Sequence, residues 1–534
     1  MKKFISIITF GLLCISIQAN NQNSTEVNRS LSIINDVLRQ LDINYVDTLN
    51  FKEITEKGIG QMLYCIDPYT VYIPKEENDN LKMMTTGKYG GIGAIIIQRD
   101  SSVYIHEPYE GMPAQQHDVL AGDKLIEVDG MNCLGKTTKE VSDRLRGKPG
   151  TLVKLKLLRE GEKKPLIREF ERQEVHLPAV SYYQSLGQAN LYCDSLRDIA
   201  AQTGYILFSE FTTQSAQQLL LAVEDMVNHQ HIQNLIIDLR GNGGGLIDEA
   251  IQIVSYFVER GTEVVSTRGK VEAGNRSYTT RTSPLYKDMP VVLLVDEHTA
   301  SAAEIVSGSL QDLHRAKLVG KRTFGKGLVQ SIRPIAFDGH LKVTTAHYYL
   351  PSGRCIQAID YSERQKGNAL KKDTAGGILP DIVLTDTDKV NITYSLYSQH
   401  MFFDYATRYH RLHDSIAVAQ QFEITDQELD DFIRFLDEKQ YKYETETSKY
   451  YKEMLDVARH EDVDSVTLTR LEDMQQQLTS SYREAIMRHK QDVKKLLAEE
   501  ILLRYYFQQG RIAYLIRDDE AINRALEELM KNDF

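Results

Sequence analysis

The sequence predicts a multidomain α/β protein: a core of alternating strands and helices, a β-rich module inserted ahead of it, a short N-terminal helical region and a long C-terminal α-helical domain. Three observations predict this. Between about Ser181 and Asp386, apolar strand-like runs (YILFSEF, NLIIDLR, VVLLVD) alternate with helix-like ones (SAQQLLLAVEDMV, LIDEAIQIVSYFVE, SAAEIVSGSLQD), the pattern of stacked βα units around a buried sheet. From Tyr89, short β-rich runs are separated by Gly-containing turns. Beyond Asn391 no Gly or Pro occurs until Gly510, and the composition shifts to Gln, Glu, Lys, Leu and Tyr. With 534 residues, 42% hydrophobic and 26% charged, the chain is long and apolar enough to bury several cores.

The elements follow in order. Residues 1–19 read as an export signal: Lys2 and Lys3, an apolar run from Phe4 to Ile17, then Ala19. The run is shorter than the ~20 apolar residues of a membrane span. Leu13 before Cys14 is bulkier than lipoprotein cleavage sites usually accept, which argues against a lipid anchor. The mature protein is therefore expected to be exported and soluble. Residues 20–84 form a short helical region ending in the turn-rich GQMLYCIDPYTVYIPKEE. Residues 85–178 carry the strands AIIIQ (Ala94 to Gln98), KLIEV (Lys124 to Val128) and TLVKLKLL (Thr151 to Leu158). One helix interrupts them, capped at Thr137 or Thr138, with Val141 and Leu145 on one face and a stop at Gly147. Residues 179–388 are the α/β core, and residues 389–534 the helical tail. In the tail, Thr425 and Glu428 form a capping box followed by Leu429, Phe432, Ile433 and Leu436 at helical spacing. The tail reads as packing structure and as a candidate contact for a homo-oligomer.

Composition excludes several functions. A net charge of −12 and the lack of any basic block argue against nucleic acid. Cys65, Cys133, Cys193 and Cys355 lie scattered without a CxxC, so neither a zinc site nor a disulfide framework is expected, and most should be small buried residues. His410 and His413 lack HExxH spacing, so no metal or other cofactor is called for.

Three stretches of the core could carry chemistry. DLRGNGGG, Asp238 to Gly245, joins a strand to a helix and leaves backbone N–H groups uncovered, as a plain turn or an anion cradle does. Leu246 stands where the dinucleotide fingerprint needs Gly. DEHTASAAEIVSGS places Ser301 at a strand-to-helix turn, where a serine is either an N-cap or a nucleophile with the Ala302 N–H beside it. The G-x-S-x-G form of ordinary α/β-hydrolases is absent. GKRTFGKGLVQ approaches a P-loop, but Gly327 replaces the required Ser or Thr and LVQSIRPI reads as a strand. Lys326 is then a solvated loop lysine or a base for Ser301. The second role requires lowering its pKa from about 10.4 towards 7, about 4 to 5 kcal/mol, in a dry site. In an extended segment Lys326, Leu328 and Gln330 share one side, so the Gln330 amide could orient the lysine. His298, His314 and His347 remain competing bases on spacing alone.

Together, TASAAEI at Thr299 to Ile305, GKGLVQ at Gly325 to Gln330, the 25-residue step from Ser301 to Lys326 and the upstream DLRGNGGG resemble the carboxyl-terminal processing peptidases, a family of PDZ-containing serine-lysine endopeptidases. The likeness extends to IDPYTVY near Ile66, YGGIGA at Tyr89, YYLPSGRCIQ and GGILPDI, over roughly residues 30 to 385. It implies a crotonase/ClpP-like α/β protease core and makes the β-rich module a PDZ domain. By position it implies Ser301 as nucleophile, Lys326 as general base, Gln330 as its orienting partner and Glu304 as a support. The Ala302 and Gly244 amides would form the oxyanion hole. Gly91, Ile92 and Gly93 would hold the terminal carboxylate of a peptide lying beside Ile92 to Gln98, its last side chain walled by the helix Thr138 to Leu145. The implied partners are proteins with free C-termini, whose tails are cleaved, or misfolded envelope proteins, which are degraded, in the periplasm or cell envelope. Two other readings use the same residues: a peptide-binding scaffold with an inactive core, and a crotonase-like acyl-thioester binder using only the glycine turn.

Overall fold

The computed structural model of the chain describes residues 24–189, 194–362, 364, 371–372, 376–385, 391–461, 463–478 and 481–531. The expected export signal and Cys14 lie outside them. Among the described residues no helix is long and apolar enough to cross a membrane. The chain divides into two compact units, the smaller made of Met1–Lys75, Gln330–Thr344 and Tyr361–Lys371. The N-terminal region thus shares its unit with a segment from far along the sequence, including Gln330, which the sequence reading placed in the core.

In the smaller unit, helix Phe51–Tyr64 starts at Asn50, whose side chain accepts the Glu53 N–H. The IDPYT stretch then makes a tight Asp turn: Asp67 Oδ1 accepts the amides of Tyr69 and Thr70 at 2.7 Å each, and Oδ2 accepts the Thr70 hydroxyl at 2.9 Å. The turn delivers strand Val71–Ile73, which pairs antiparallel with His340 to Lys342.

The larger unit holds the β-rich module, the core and the tail. The core sheet runs in the order Val180–Ser185, Thr203–Phe208, Asn234–Asp238, Val291–Val295, Lys317–Gly320, Ile382–Val383, antiparallel in its first pair and parallel thereafter. Every residue of Asn234–Asp238 and Val291–Val295 is buried, as expected of strands covered on both faces. Alternation divides the cover. Leu235, Ile237, Leu293 and Val295 pack with the core helices through Leu219, Val223, Ile251 and Val306. Ile236, Val292, Leu294 and Val319 face the tail, packing in one cluster with Phe402, Phe432, Leu497 and Ile522. The tail is therefore the second helical layer of the core sandwich. Its capping box at Thr425 and Glu428 forms as predicted, starting helix Asp426–Glu438 with Leu429, Phe432, Ile433 and Leu436 buried.

The β-rich module is a sheet in the order Ala94–Arg99, Ser102–Pro108, Lys124–Val128, Leu152–Leu158, Leu166–Glu171. Its helix Thr138–Leu145 opens on a complete capping box between Thr137 and Glu140 and buries Val141 and Leu145. Ala94–Arg99 is an edge strand, so one row of its backbone groups is left for another chain. The module rests on the tail: Arg99 grips Asp404 with two hydrogen bonds, 2.5 and 3.0 Å, and the ring of His106 stacks on that of Phe403 at 5.6 Å.

The cysteines depart from expectation. Cys133 is buried, but Cys65 and Cys355 are exposed. Cys65 follows a helix end, Cys355 sits in an isolated antiparallel bridge opposite Tyr349, and Cys193 lies outside the described residues.

Candidate active site

Strand Val291–Val295 ends at Asp296, which organises two turns at once. Its Oδ1 accepts the amides of His298 (3.0 Å) and Thr299 (2.9 Å) in its own turn and that of Gly241 (3.0 Å) in the glycine turn. The Thr299 hydroxyl donates to the Leu239 carbonyl at 2.9 Å, and the Ala300 amide to the Asn242 carbonyl, also at 2.9 Å. The next residue, Ser301, has φ 58° and ψ −118°, a backbone conformation that non-glycine residues avoid and that here stands at a strand-to-helix turn. Helix Ala302–Asp312 follows, buried from Ala302 through Leu310. A helix buried this deeply is a rigid mount, and the Ala302 N–H, in its first turn, has no acceptor within the helix.

The glycine turn packs directly against this mount. A Cβ on Gly244, whose φ is +92°, would sit 2.7 Å from both the Ala302 nitrogen and the Ser301 Cβ, so only glycine fits. Asn242 is fully buried, donates its side-chain amide to the Phe208 carbonyl at 2.7 Å and accepts the Gly244 N–H at 2.8 Å. The Gly244 amide expected at the oxyanion is thus engaged with a side chain in this state. Just upstream, Arg240 forks onto Asp238 and reaches Asp519 Oδ2 at 2.9 Å, the residue that caps helix Glu520–Met530 of the tail. Sequence reading gave no sign of this link between the glycine turn and the end of the chain.

Lys326 comes to the same place through backbone contacts. Glu304, one turn into the buried helix and 0% exposed, accepts the Ser301 N–H and the Lys326 N–H on the same oxygen, Oε2, each at 2.9 Å. Its Oε1 takes the Thr323 hydroxyl at 2.6 Å and the Gly325 amide at 2.8 Å. Burial pushes the Glu304 carboxyl above the usual carboxylate range, and the donors from Thr323, Lys326, Ser301 and Gly325 pull it back. The loop fits closely: a Cβ on Gly325 would lie 2.5 Å from that of Ala358, and one on Gly327 2.7 Å from the Gln357 nitrogen. After Lys326 the chain enters strand Leu328–Pro334, not a helix, as the departure from a P-loop predicted.

Sequence reasoning missed Tyr348. Its ring is 1% exposed, and its hydroxyl lies 2.5 Å from the Lys326 carbonyl and 3.2 Å from that of Ser301. The signal was the alternation in TTAHYYL, which buries Ala346, Tyr348 and Leu350. The histidines considered as bases, His298, His314 and His347, are all exposed. Gln330 donates to the Thr344 hydroxyl at 3.3 Å within the smaller unit. In the β-rich module the Ile92 and Gly93 carbonyls accept the amides of Ala114 and Tyr109, which fixes the loop Gly91 to Gly93 at the start of the edge strand.

The chain resembles known proteins over most of its length. Family models match residues 202–383 (Peptidase family S41), 104–159 (PDZ domain) and 392–529 (probable PDZ-protease, C-terminal helical domain). A carboxy-terminal-processing protease of Bartonella bacilliformis is 32% identical over 372 residues, covering 69% of this chain and 78% of that protein. A probable CtpA-like serine protease of Staphylococcus aureus is 29% identical over 362 residues, covering 66% and 68%. Among solved structures, a photosystem II D1 C-terminal processing protease aligns at 27% identity and a TM-score of 0.38 over 65% of this chain and 86% of that one. With a core that seats a serine at a strained strand-to-helix turn, a β-rich module that is a PDZ domain and relatives of this extent, the chain belongs to the carboxy-terminal-processing proteases of peptidase family S41 and is a serine peptidase.

Proposed function

We propose that this chain is an exported endopeptidase that takes the free C-terminal tails of proteins through its PDZ domain and cleaves them with a Ser301–Lys326 dyad. The observation that carries the reading is the single Glu304 oxygen shared by the Ser301 and Lys326 amides, which holds these two residues side by side. Ser301 Oγ attacks the substrate carbonyl carbon while the neutral Lys326 amine takes the hydroxyl proton. The oxyanion is stabilised by the Ala302 N–H and by the Gly244 N–H once it leaves Asn242. Collapse breaks the C–N bond, and the Lys326 ammonium returns its proton to the leaving amine. Water, deprotonated by the same lysine, then releases the acyl group.

The edge strand Ala94–Arg99 supports peptide addition in the PDZ domain, with the carboxylate at Gly91 to Gly93 and the last side chain against the helix Thr138–Leu145. Export rests on the basic and apolar start of the chain.

The test compares a flexible peptide bearing a free or an amidated C-terminus, using wild type, Ser301→Ala and Lys326→Ala. Cleavage of the free-carboxylate peptide, weaker on the amide and lost in both variants, is expected. Equal cleavage of the two peptides would remove the PDZ role, and activity in either variant would remove the dyad.

A further inference from the structure

We infer that Tyr348 is a positioning residue for catalysis: its buried hydroxyl sets the separation of Ser301 and Lys326 by holding the backbone carbonyls of both. The inference rests on the reading of these two residues as nucleophile and base. Glu304 ties them on their amide side, at 2.9 Å and 2.9 Å. Tyr348 ties them on their carbonyl side, at 2.5 Å to Lys326 and 3.2 Å to Ser301. Each residue of the dyad is therefore gripped at both ends of its backbone by the same pair of side chains. One grip alone would leave each residue free to pivot about its amide.

The phenol has one proton to give, and both carbonyls lie within its reach. The shorter contact goes to the Lys326 carbonyl, leaving that of Ser301 as the second, weaker acceptor. What makes the hydroxyl a fixed reference is the mounting of Tyr348 itself. Its amide donates to the Gly327 carbonyl at 3.0 Å, which locks it to the residue after Lys326. Strand His340–Tyr349 sets it opposite Thr267 of strand Glu263–Gly269. The ring packs in the same apolar cluster as Ala302, Ala303 and Ile305 of the helix that carries Ser301. The hydroxyl is thus held by groups that belong to both halves of the dyad and to a sheet outside the catalytic turns.

In an acyl-transfer site a displacement of about 1 Å costs on the order of 100-fold in rate. Loss of the hydroxyl alone removes one net hydrogen bond, a modest change in stability. These two magnitudes separate a positioning role from a structural one. The test is Tyr348→Phe, with Tyr348→Met as a second variant that also lacks the hydroxyl but packs adaptably if the first does not fold. Active sites are counted by covalent titration with a fluorophosphonate, so that only competent molecules enter the rate. The expected result is a kcat per titrated site lowered about 10- to 100-fold with KM within about twofold of wild type. Wild-type kcat per titrated site, with only the melting temperature or the number of active sites reduced, would overturn the inference. Ser301→Ala and Lys326→Ala run alongside: activity in either would overturn the dyad itself, whereas their loss of activity beside an unaffected Tyr348→Phe would overturn only the role of Tyr348.

Discussion

The turns that carry Ser301 and Lys326 and the seat of the PDZ domain on the tail are held by opposite means. At these turns side chains grip backbone: the buried Glu304 takes the amides of Ser301, Gly325 and Lys326, and the half-buried Asp296 ties the serine turn to the glycine turn. Where the PDZ domain rests on the tail, side chains grip side chains, and they do so away from the open backbone row of the edge strand. Arg99 pairs with Asp404 and lies over the rings of Tyr104 and Phe403, and Gln508 donates to Glu107 at 2.6 Å. Chemistry needs distances fixed to a fraction of an ångström, which backbone ties supply. Recognition needs an unoccupied strand edge, so the module is anchored to the tail while Ala94–Arg99 keeps one side unpaired in the sheet order.

The largest effect should come from breaking the backbone grip. Glu304→Gln keeps the size of the side chain but turns an NH2 towards amide donors in a site with no exposure. We expect a loss of about 2 to 4 kcal/mol of stability and of nearly all activity in whatever folds, measured by denaturant melts and peptide turnover. Stability and rate both close to wild type would show that the shared carboxylate does not hold the site.

Breaking the side-chain grip should cost less and act elsewhere. Arg99 and Asp404 are 18% and 15% exposed, so the pair is only partly desolvated. Arg99→Ala should cost about 1 to 3 kcal/mol and leave kcat on a short peptide within about twofold. Hydrogen exchange should show the PDZ domain opening before the core sheet. An equal loss of protection in both regions would contradict the contrast drawn here.

The smallest effect is a pH dependence at the same contact. Burial pushes the His106 imidazole below its ordinary range; Glu500 opposes this, while Arg504, Arg511 and His400 add to it. A folded-state pKa below the unfolded one favours the neutral ring, so this contribution is present above about pH 6.5 and is lost as the pH falls towards the folded value. Glu107 beside it shifts the other way, upward by burial, and its contribution is lost as the pH rises through its folded value. Between about pH 7.5 and 5.5, wild type should therefore lose about 1 to 3 °C more in Tm than His106→Gln. Parallel pH profiles for the two proteins would remove His106 as the cause.

Much of this contrast was legible in the sequence. Ser301 and Lys326 were singled out by motif and by their 25-residue step, and the fold brings their amides to one Glu304 oxygen. The capping box at Thr425 formed where its spacing put it, and of the two cap candidates Thr137 and Thr138 it is Thr137 that starts the helix. What escaped depends on register and on faces. Tyr348 could be assigned to a strand, but only its pairing opposite Thr267 aims its hydroxyl at the carbonyls of Lys326 and Ser301. The tail's helices were recognisable, yet their amphipathic faces do not say which surface they cover. A clue existed in VVLLV and NLIID: unbroken apolar strands need cover on both faces, and the tail had the helices to supply the second. The engagement of the Gly244 amide by Asn242 had no signal at all, since it depends on one side-chain rotamer within a turn.

The central claim is that Ser301 and Lys326 form one functional unit held together by their backbones. Its most direct test is to treat the folded protein with a fluorophosphonate and locate the adduct by peptide mass spectrometry, in wild type and in Lys326→Ala. The account predicts a single adduct on Ser301 in wild type, and labelling slowed by about 1,000-fold or more in the variant while its melting temperature holds. An adduct on another serine, or Ser301 labelled equally fast without the lysine, would contradict it.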